Sequence, residues 1–170
     1  KRVCALSQLD LTVHEGEVFG YLGPNGAGKT TTLKLLMGLL RPTSGEARIL
    51  GRPPGDVRAK EQIGFLPEQP NFYEYLTGRE LLNFYGQLFG LDRPTRRERV
   101  ERLARQLRIE SALDLQLRKY SKGMMQRLGL AQALLNDPKL ILLDEPMAGL
   151  DPLGRREVRD LLVRLKAEGR

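Results

Sequence analysis

The stretch Gly23-Pro24-Asn25-Gly26-Ala27-Gly28-Lys29-Thr30 combines three glycines with a lysine and a hydroxyl in the pattern GxxxxGK[ST]. The chemistry this suits is the binding of a polyphosphate. Without Cβ atoms at Gly23, Gly26 and Gly28, the backbone takes angles and close approaches that other residues forbid, so successive N–H groups can turn toward phosphate oxygens. If a helix starts at Lys29, its dipole and the free N–H groups of Lys29, Thr30 and Thr31 favour the same anion. Lys29 then reaches the β and γ phosphates of a nucleoside triphosphate, and the Thr30 hydroxyl is a ligand for Mg²⁺.

A second group able to do chemistry is the acid pair Asp144-Glu145, which follows the apolar run Leu140-Ile141-Leu142-Leu143. Open α/β sheets place ligand chemistry at the carboxyl ends of their strands. Asp144 can hold a metal, usually through water. Glu145, one residue on and so directed differently, can orient or deprotonate a water attacking the γ-phosphate. Together with the phosphate loop, the pair favours hydrolysis over binding alone.

The stretch KYSKGMMQRLGLAQALL, Lys119 to Leu135, has two readings. Ser121 can cap an amphipathic helix whose apolar stripe is Met124, Leu128, Ala131 and Leu135, limited by Pro138. The same capped end, with free N–H groups near Gly123, is also an anion site. Lys122 either adds a charge to that site or points outward.

The elements that must position these groups follow from pattern. Glu17 to Gly23, EVFGYLG, reads as a buried strand, followed by the glycine-rich turn and a helix from Lys29. Arg41 to Gly55 reads as turns around a short strand, Ala47 to Leu50, and Ile63 to Leu66 as another strand. From Pro67 to about Tyr120 the pattern is helical, with aromatic residues early and arginines later. Leu140 to Leu143 suits a parallel strand covered on both faces. RREVRDLLVRLKAEGR, Arg155 to Arg170, is expected to form a last helix.

At 170 residues, with 41% hydrophobic and 29% charged residues, the chain suits one domain with one core. No apolar run approaches the roughly 18 residues of a membrane span. The single Cys4 excludes an internal disulfide and fits a reducing compartment, the cytoplasm by default. A chain opening Lys1-Arg2-Val3, without Met or an apolar leader, is expected to be a piece of a longer protein. The net charge of +7 permits nucleic acid or an anionic membrane as partner. Many of the basic residues, however, lie in Arg93 to Arg108, where Val100, Leu103 and Leu107 make a helical stripe and a solvated basic face is expected.

With these stretches in hand, the chain resembles the nucleotide-binding subunit of an ATP-binding-cassette (ABC) transporter, most closely the bacterial exporter-type ATPases that pair with separate membrane subunits. GPNGAGKTT, SKGMMQR, LILLDEP and AGLDP occur in the family's order and usual separations, over essentially the whole chain. The resemblance implies an α/β P-loop NTPase fold, with a mainly parallel sheet core, a small antiparallel β part and an inserted helical subdomain. It divides one incomplete ABC ATPase domain, residues 1–170, into a nucleotide-binding core (1–66 and 136–170) and a helical subdomain (67–135). It also implies a head-to-tail dimer, expected to be a homodimer, with ATP and Mg²⁺ enclosed between the phosphate loop of one subunit and the signature motif of the other. That signature corresponds to Ser121, Lys122 and Gly123. Asp151 corresponds to a loop communicating between the two sites; N-capping of the last helix is its local alternative, and both roles can coexist.

Two departures stand out. The family's membrane-coupling glutamine falls at Glu68, with Gln69 one residue later, so that either can be the metal- or water-binding residue of that loop. The family's adenine-stacking aromatic would precede Lys1 and its switch histidine would follow Arg170, so these residues alone are expected to bind nucleotide weakly and hydrolyse it poorly. His14 reads as a surface residue. The function implied is hydrolysis of ATP to ADP and phosphate that powers an exporter through ATP-driven dimerisation, on the inner face of the cell membrane against a permease. Phe72, Tyr73 and Tyr75 belong to the segment expected to meet that permease, as subdomain core with one or two exposed at the partner. The transported compound is set by membrane subunits. The alternative is a soluble ABC ATPase acting on ribosomes or nucleic acid. Chromosome ATPases need a long coiled coil that is absent here, tandem cassettes would favour the ribosome, and no NKxD motif suggests a GTPase.

Overall fold

The computed structural model describes residues 4–169; Lys1, Arg2, Val3 and the expected helix end at Arg170 lie outside it. In chain order its elements are α1 (Lys29–Leu36), α2 (Val57–Lys60), β1 (Ile63–Leu66), α3 (Gly78–Leu88), α4 (Arg93–Gln106), α5 (Lys122–Leu134), β2 (Leu140–Leu143) and α6 (Pro152–Ala167), with two short 3₁₀ turns before α5.

β1 and β2 pair in parallel, with Ile63 opposite Leu140 and Leu66 opposite Leu143. A parallel pair needs a long crossover, and here α3, α4 and α5 supply it. Along β2 the side chains alternate, as a period of two requires. Leu140 and Leu142 pack with Leu36, Met37, Ile49, Ala59 and Ile63, whereas Ile141 and Leu143 pack on the main core. The run LILL is therefore covered from both faces, although each of its residues keeps some exposure.

The main core joins Leu66 of β1 to α3, α4, α5 and α6 in one continuous cluster. Of the expected stripes, Val100, Leu103 and Leu107 on one side and Leu128, Ala131 and Leu135 on the other are in it; Met124 is not, and Met125 packs against the cluster instead. What brings α5 down on the sheet is the absence of a side chain at Gly64. A Cβ there would stand 2.0 Å from the carbonyl oxygen of Ala133. Caps fix where the helices begin. Thr77 and Glu80 form a reciprocal capping box on α3, and Asp92, Ser121 and Asp151 cap α4, α5 and α6. The last helix starts at Pro152, three residues ahead of the expected start, because proline is pre-shaped for the first helical position, where its missing N–H has no intrahelical partner to lose.

Two expected strands are not formed. Glu17 to Gly23 has no strand partner among the described residues, and Val18, Phe19 and Leu22 are exposed, Leu22 by 90%. A strand is a pairing, not a property of one apolar segment; without a neighbour's backbone the pattern alone cannot form a ladder. Ala47 to Leu50 is reduced to one antiparallel bridge, Ile49 to Arg52, around a turn in which Leu50 and Gly51 both have positive φ. Such angles suit the tight turn of a hairpin; the other antiparallel bridge among the described residues joins Thr77 to Gln116, ahead of α3 and before α5. His14 is exposed, as expected.

Substituting Gly64→Ala in the full-length protein is expected to lower stability by about 3 kcal/mol, the upper part of the range for overpacked cores. The check is the denaturant midpoint; an unchanged midpoint would mean that α5 does not rest on β1 in this way.

Candidate functional site

The phosphate loop ends at Gly28, whose φ of 88° is the left-handed region that glycine tolerates. A Cβ at Gly28 would also stand 2.5 Å from Leu6 Cδ2 and 2.6 Å from the Ala5 carbonyl, so the position is closed on two grounds. Gly28 caps α1 without a side-chain bond, leaving the N–H groups of the first turn to point into the loop. Lys29 Nζ donates to the carbonyls of Gly23 at 2.6 Å and Pro24 at 3.1 Å, which holds its ammonium within the loop. Pro24, Asn25, Gly26 and Ala27 are exposed, and Ala27 N closes the turn on Pro24 O at 3.2 Å.

The structure brings this loop onto the acid pair. Thr30 Oγ1 donates to Asp144 Oδ2 at 2.8 Å across 114 residues of sequence. Asp144 is buried, and its N–H continues the β1–β2 ladder by bonding Leu66 O at 2.9 Å. Glu145, the next residue, is exposed and has φ of 49°, an uncommon conformation for a residue with a side chain. Among the described residues no group of three or more His, Cys, Asp or Glu gathers as a metal cage. Mg²⁺ does not require one: it binds through one or two carboxylates together with substrate phosphates and water. A hydroxyl and a carboxylate in contact beside an anion-binding loop are the hard oxygen donors that ion takes.

Glu68 and Gln69 follow β1 as β2 is followed by Asp144, so their loop leaves the same end of the sheet. Both are exposed and neither forms a hydrogen bond or ion pair among the described residues.

Ser121 caps α5, accepting from Met124 N at 3.2 Å, and both Ser121 and Lys122 are exposed. The turn ahead of it is fixed by Tyr120, whose hydroxyl donates to Ala112 O at 2.7 Å; burial pushes that hydroxyl's pKa up to about 12, with the charge of Asp114 adding to it. Asp151 caps α6, accepting from Gly154 N at 2.8 Å, so its local alternative is realised. The two caps are close: a Cβ at Gly149 would stand 3.2 Å from Lys122 Cβ. Sequence reading missed Gln126, whose buried amide donates to Glu145 O at 3.1 Å. The signal available was a glutamine at the head of a helix that is apolar nearly all round.

A glycine-rich loop opening a helix, joined by a hydroxyl–carboxylate bond to the end of a buried parallel strand, defines a P-loop nucleotide-binding domain. This chain belongs to the ABC transporter family, whose pattern matches residues 6–148. It is 51% identical over its whole length to an uncharacterized ABC transporter ATP-binding protein of Nostoc sp., of which it covers 51%. It is 44% identical over 98% of its length to a fluoroquinolones export ATP-binding protein of Mycobacterium tuberculosis, of which it covers 54%. The chain thus spans about half the length of these curated relatives. Among solved structures it is similar, with a TM-score of 0.87 and 29% identity, to an ATP-binding cassette in a dimeric post-hydrolysis state bound to ADP and Pi; the match covers 97% of this chain and 76% of that one.

Ser121→Ala and Asp151→Ala should each lower stability by about 1 kcal/mol through loss of a helix cap, with Ser121→Asp retaining most of it. Thermal unfolding measures both; a value near zero for either would show that the cap is not formed in solution.

Proposed function

We propose that this chain is part of an ATP-hydrolysing subunit of a membrane exporter, acting as one of two copies that enclose ATP between them. The observation that carries the reading is the bond from Thr30 to Asp144, which joins the phosphate loop to the acid pair as one site. Further support comes from a relative named for fluoroquinolone export and from a dimeric neighbour holding ADP and Pi.

In this reading Gly23 to Thr31 cradle the phosphates with backbone N–H groups, and Lys29 neutralises the β and γ oxygens. Thr30 and Asp144 would hold Mg²⁺, whose chemistry there is to offset charge on the phosphate oxygens, with Glu68, or Gln69 beside it, completing the set and sensing the permease. Glu145 accepts the proton of the attacking water; the γ-phosphoryl leaves ADP, giving ADP and phosphate. Its left-handed backbone costs on the order of 1 kcal/mol, strain of the kind that collects at reacting centres. Ser121 and Gly123 of one copy contact the γ-phosphate held by the other through free N–H groups and the serine hydroxyl, and Lys122 adds a cation there. Asp151, at the head of α6 and next to that motif, carries the state of one site to the other.

The division into a nucleotide-binding core, 1–66 with 136–170, and a helical subdomain, 67–135, assigns coupling to the second part. A groove of about 330 Å³ between them is lined by Phe65, Phe72, Tyr85 and Phe89 with Met37 and Pro70, and it suits the apolar face of a short helix from a permease. Phe72 is partly buried against the core, while Tyr73 and Tyr75 are exposed beside each other, at 58% and 67%. Among the described residues no helix is long and apolar enough to cross a membrane. The permease would hold the subunit at the inner face of the membrane. On α4, Arg96 and Arg99 bond backbone carbonyls within the fold, whereas Arg93, Arg97, Arg102 and Arg105 form an exposed basic face.

In the full-length subunit, Glu145→Gln should keep MgATP-dependent dimerisation and lower hydrolysis by about 10²- to 10⁴-fold. Adding replacements of both Ser121 and Gly123 should abolish that dimer. Sedimentation with and without MgATP distinguishes them; a dimer that survives loss of Ser121 and Gly123 would contradict the reading.

A further inference from the structure

Among the described residues the buried polar side chains are Thr32, Asp144 and Gln126, at 5%, 5% and 4% exposure. A polar group is buried at a penalty unless it is bonded, so each such group marks an interaction the fold maintains. Thr32 bonds Gly28 O at the base of the phosphate loop, and Asp144 bonds Thr30. The nucleotide chemistry proposed above gives Gln126 no part, yet its Nε2 donates to the backbone carbonyl of Glu145 at 3.1 Å.

That carbonyl accepts twice. Ala148 N bonds it at 3.0 Å from within its own turn, and Gln126 bonds it from α5. The residue carrying it is the one that must keep φ at 49°, where a side chain is disfavoured. The bond inside the turn can travel with the turn; the bond from α5 ties it to a helix that lies against β1. The same loop is held again four residues on, where Gly149 O is 3.4 Å from the position of a Cβ on Gly123. The first turns of α5 therefore grip both ends of the segment from Glu145 to Gly149.

We infer that Gln126 is a positioning residue for hydrolysis: its amide fixes the left-handed backbone at Glu145 and thereby aims the Glu145 carboxylate. The inference rests on the reading of Glu145 as the proton acceptor. It has a consequence for the pair of subunits. Ser121, five residues ahead of Gln126 on the same helix, is the end proposed to meet the partner's nucleotide. Engagement of that end is then mechanically joined, through Gln126, to the carboxylate of the same chain.

The test is steady-state ATP hydrolysis by the full-length subunit with MgATP, alongside MgATP-dependent dimerisation and thermal unfolding. Gln126→Met fills the same space without a donor. It should lower kcat by about 10- to 100-fold, the size expected for misplacing a reacting group, while KM and dimerisation stay within about twofold. Gln126→Glu supplies a donor only when protonated, so its kcat relative to wild type should rise as pH falls. A residue that merely packs would shift the unfolding midpoint and show no such pH dependence. Wild-type kcat in Gln126→Met, or a pH-independent ratio in Gln126→Glu, would overturn the inference. Undiminished hydrolysis by Glu145→Gln would instead overturn the reading on which it rests.

Discussion

The hydrogen bond from Thr30 to Asp144 closes a loop of 114 residues, and much of the fold can be understood as what makes it possible. Asp144 is in place because β2 runs parallel to β1 in fixed register and its ladder extends one residue further, to Leu66 O. Thr30 is in place because Gly28 turns the chain into α1 with an angle few residues accept. A slip of one residue in the strand register would turn Asp144 to the opposite face and separate the two oxygens. The constraint is severe, which is why both ends of it are buried or part-buried.

α5 is the beam on which the rest is aligned. It lies on β1 across Gly64, feeds Leu128, Ala131 and Leu135 into the core, and holds the segment after β2 through Gln126 and Gly123. Arg127, the next residue, bonds Leu107 O and pairs with Glu157 of α6 at 3.0 Å. Half-buried, that pair fixes direction more than it adds stability. The Ser121 cap, the acid pair and α6 are thus attached to one rigid element rather than to separate loops.

Legibility in the sequence followed the physics of each signal. The phosphate loop was readable because few sequences satisfy its backbone angles, and the stripes of α4 and α5 because helical periodicity is local. The caps at Ser121 and Asp151 were readable for the same reason. Glu17 to Gly23 misled because apolar character states that a segment seeks cover, not that a neighbouring strand is present. The start of α6 was placed late because Pro152 was not used as a helix opener. Neither the partner of Gln126 nor the left-handed turn at Glu145 could be read, since each depends on a contact between elements that only the fold brings together.

The central claim is that loop and acid pair form one magnesium–nucleotide site, and a double-mutant cycle tests it most directly. Thr30→Val, Asp144→Asn and the double variant of the full-length protein would be titrated with ATP, with Mg²⁺ present and then chelated. The account predicts that the two losses in Mg²⁺-dependent affinity fail to add, with a coupling of about 1 kcal/mol or more that disappears on chelation. Losses that add to within about 0.3 kcal/mol would show two independent sites and contradict it.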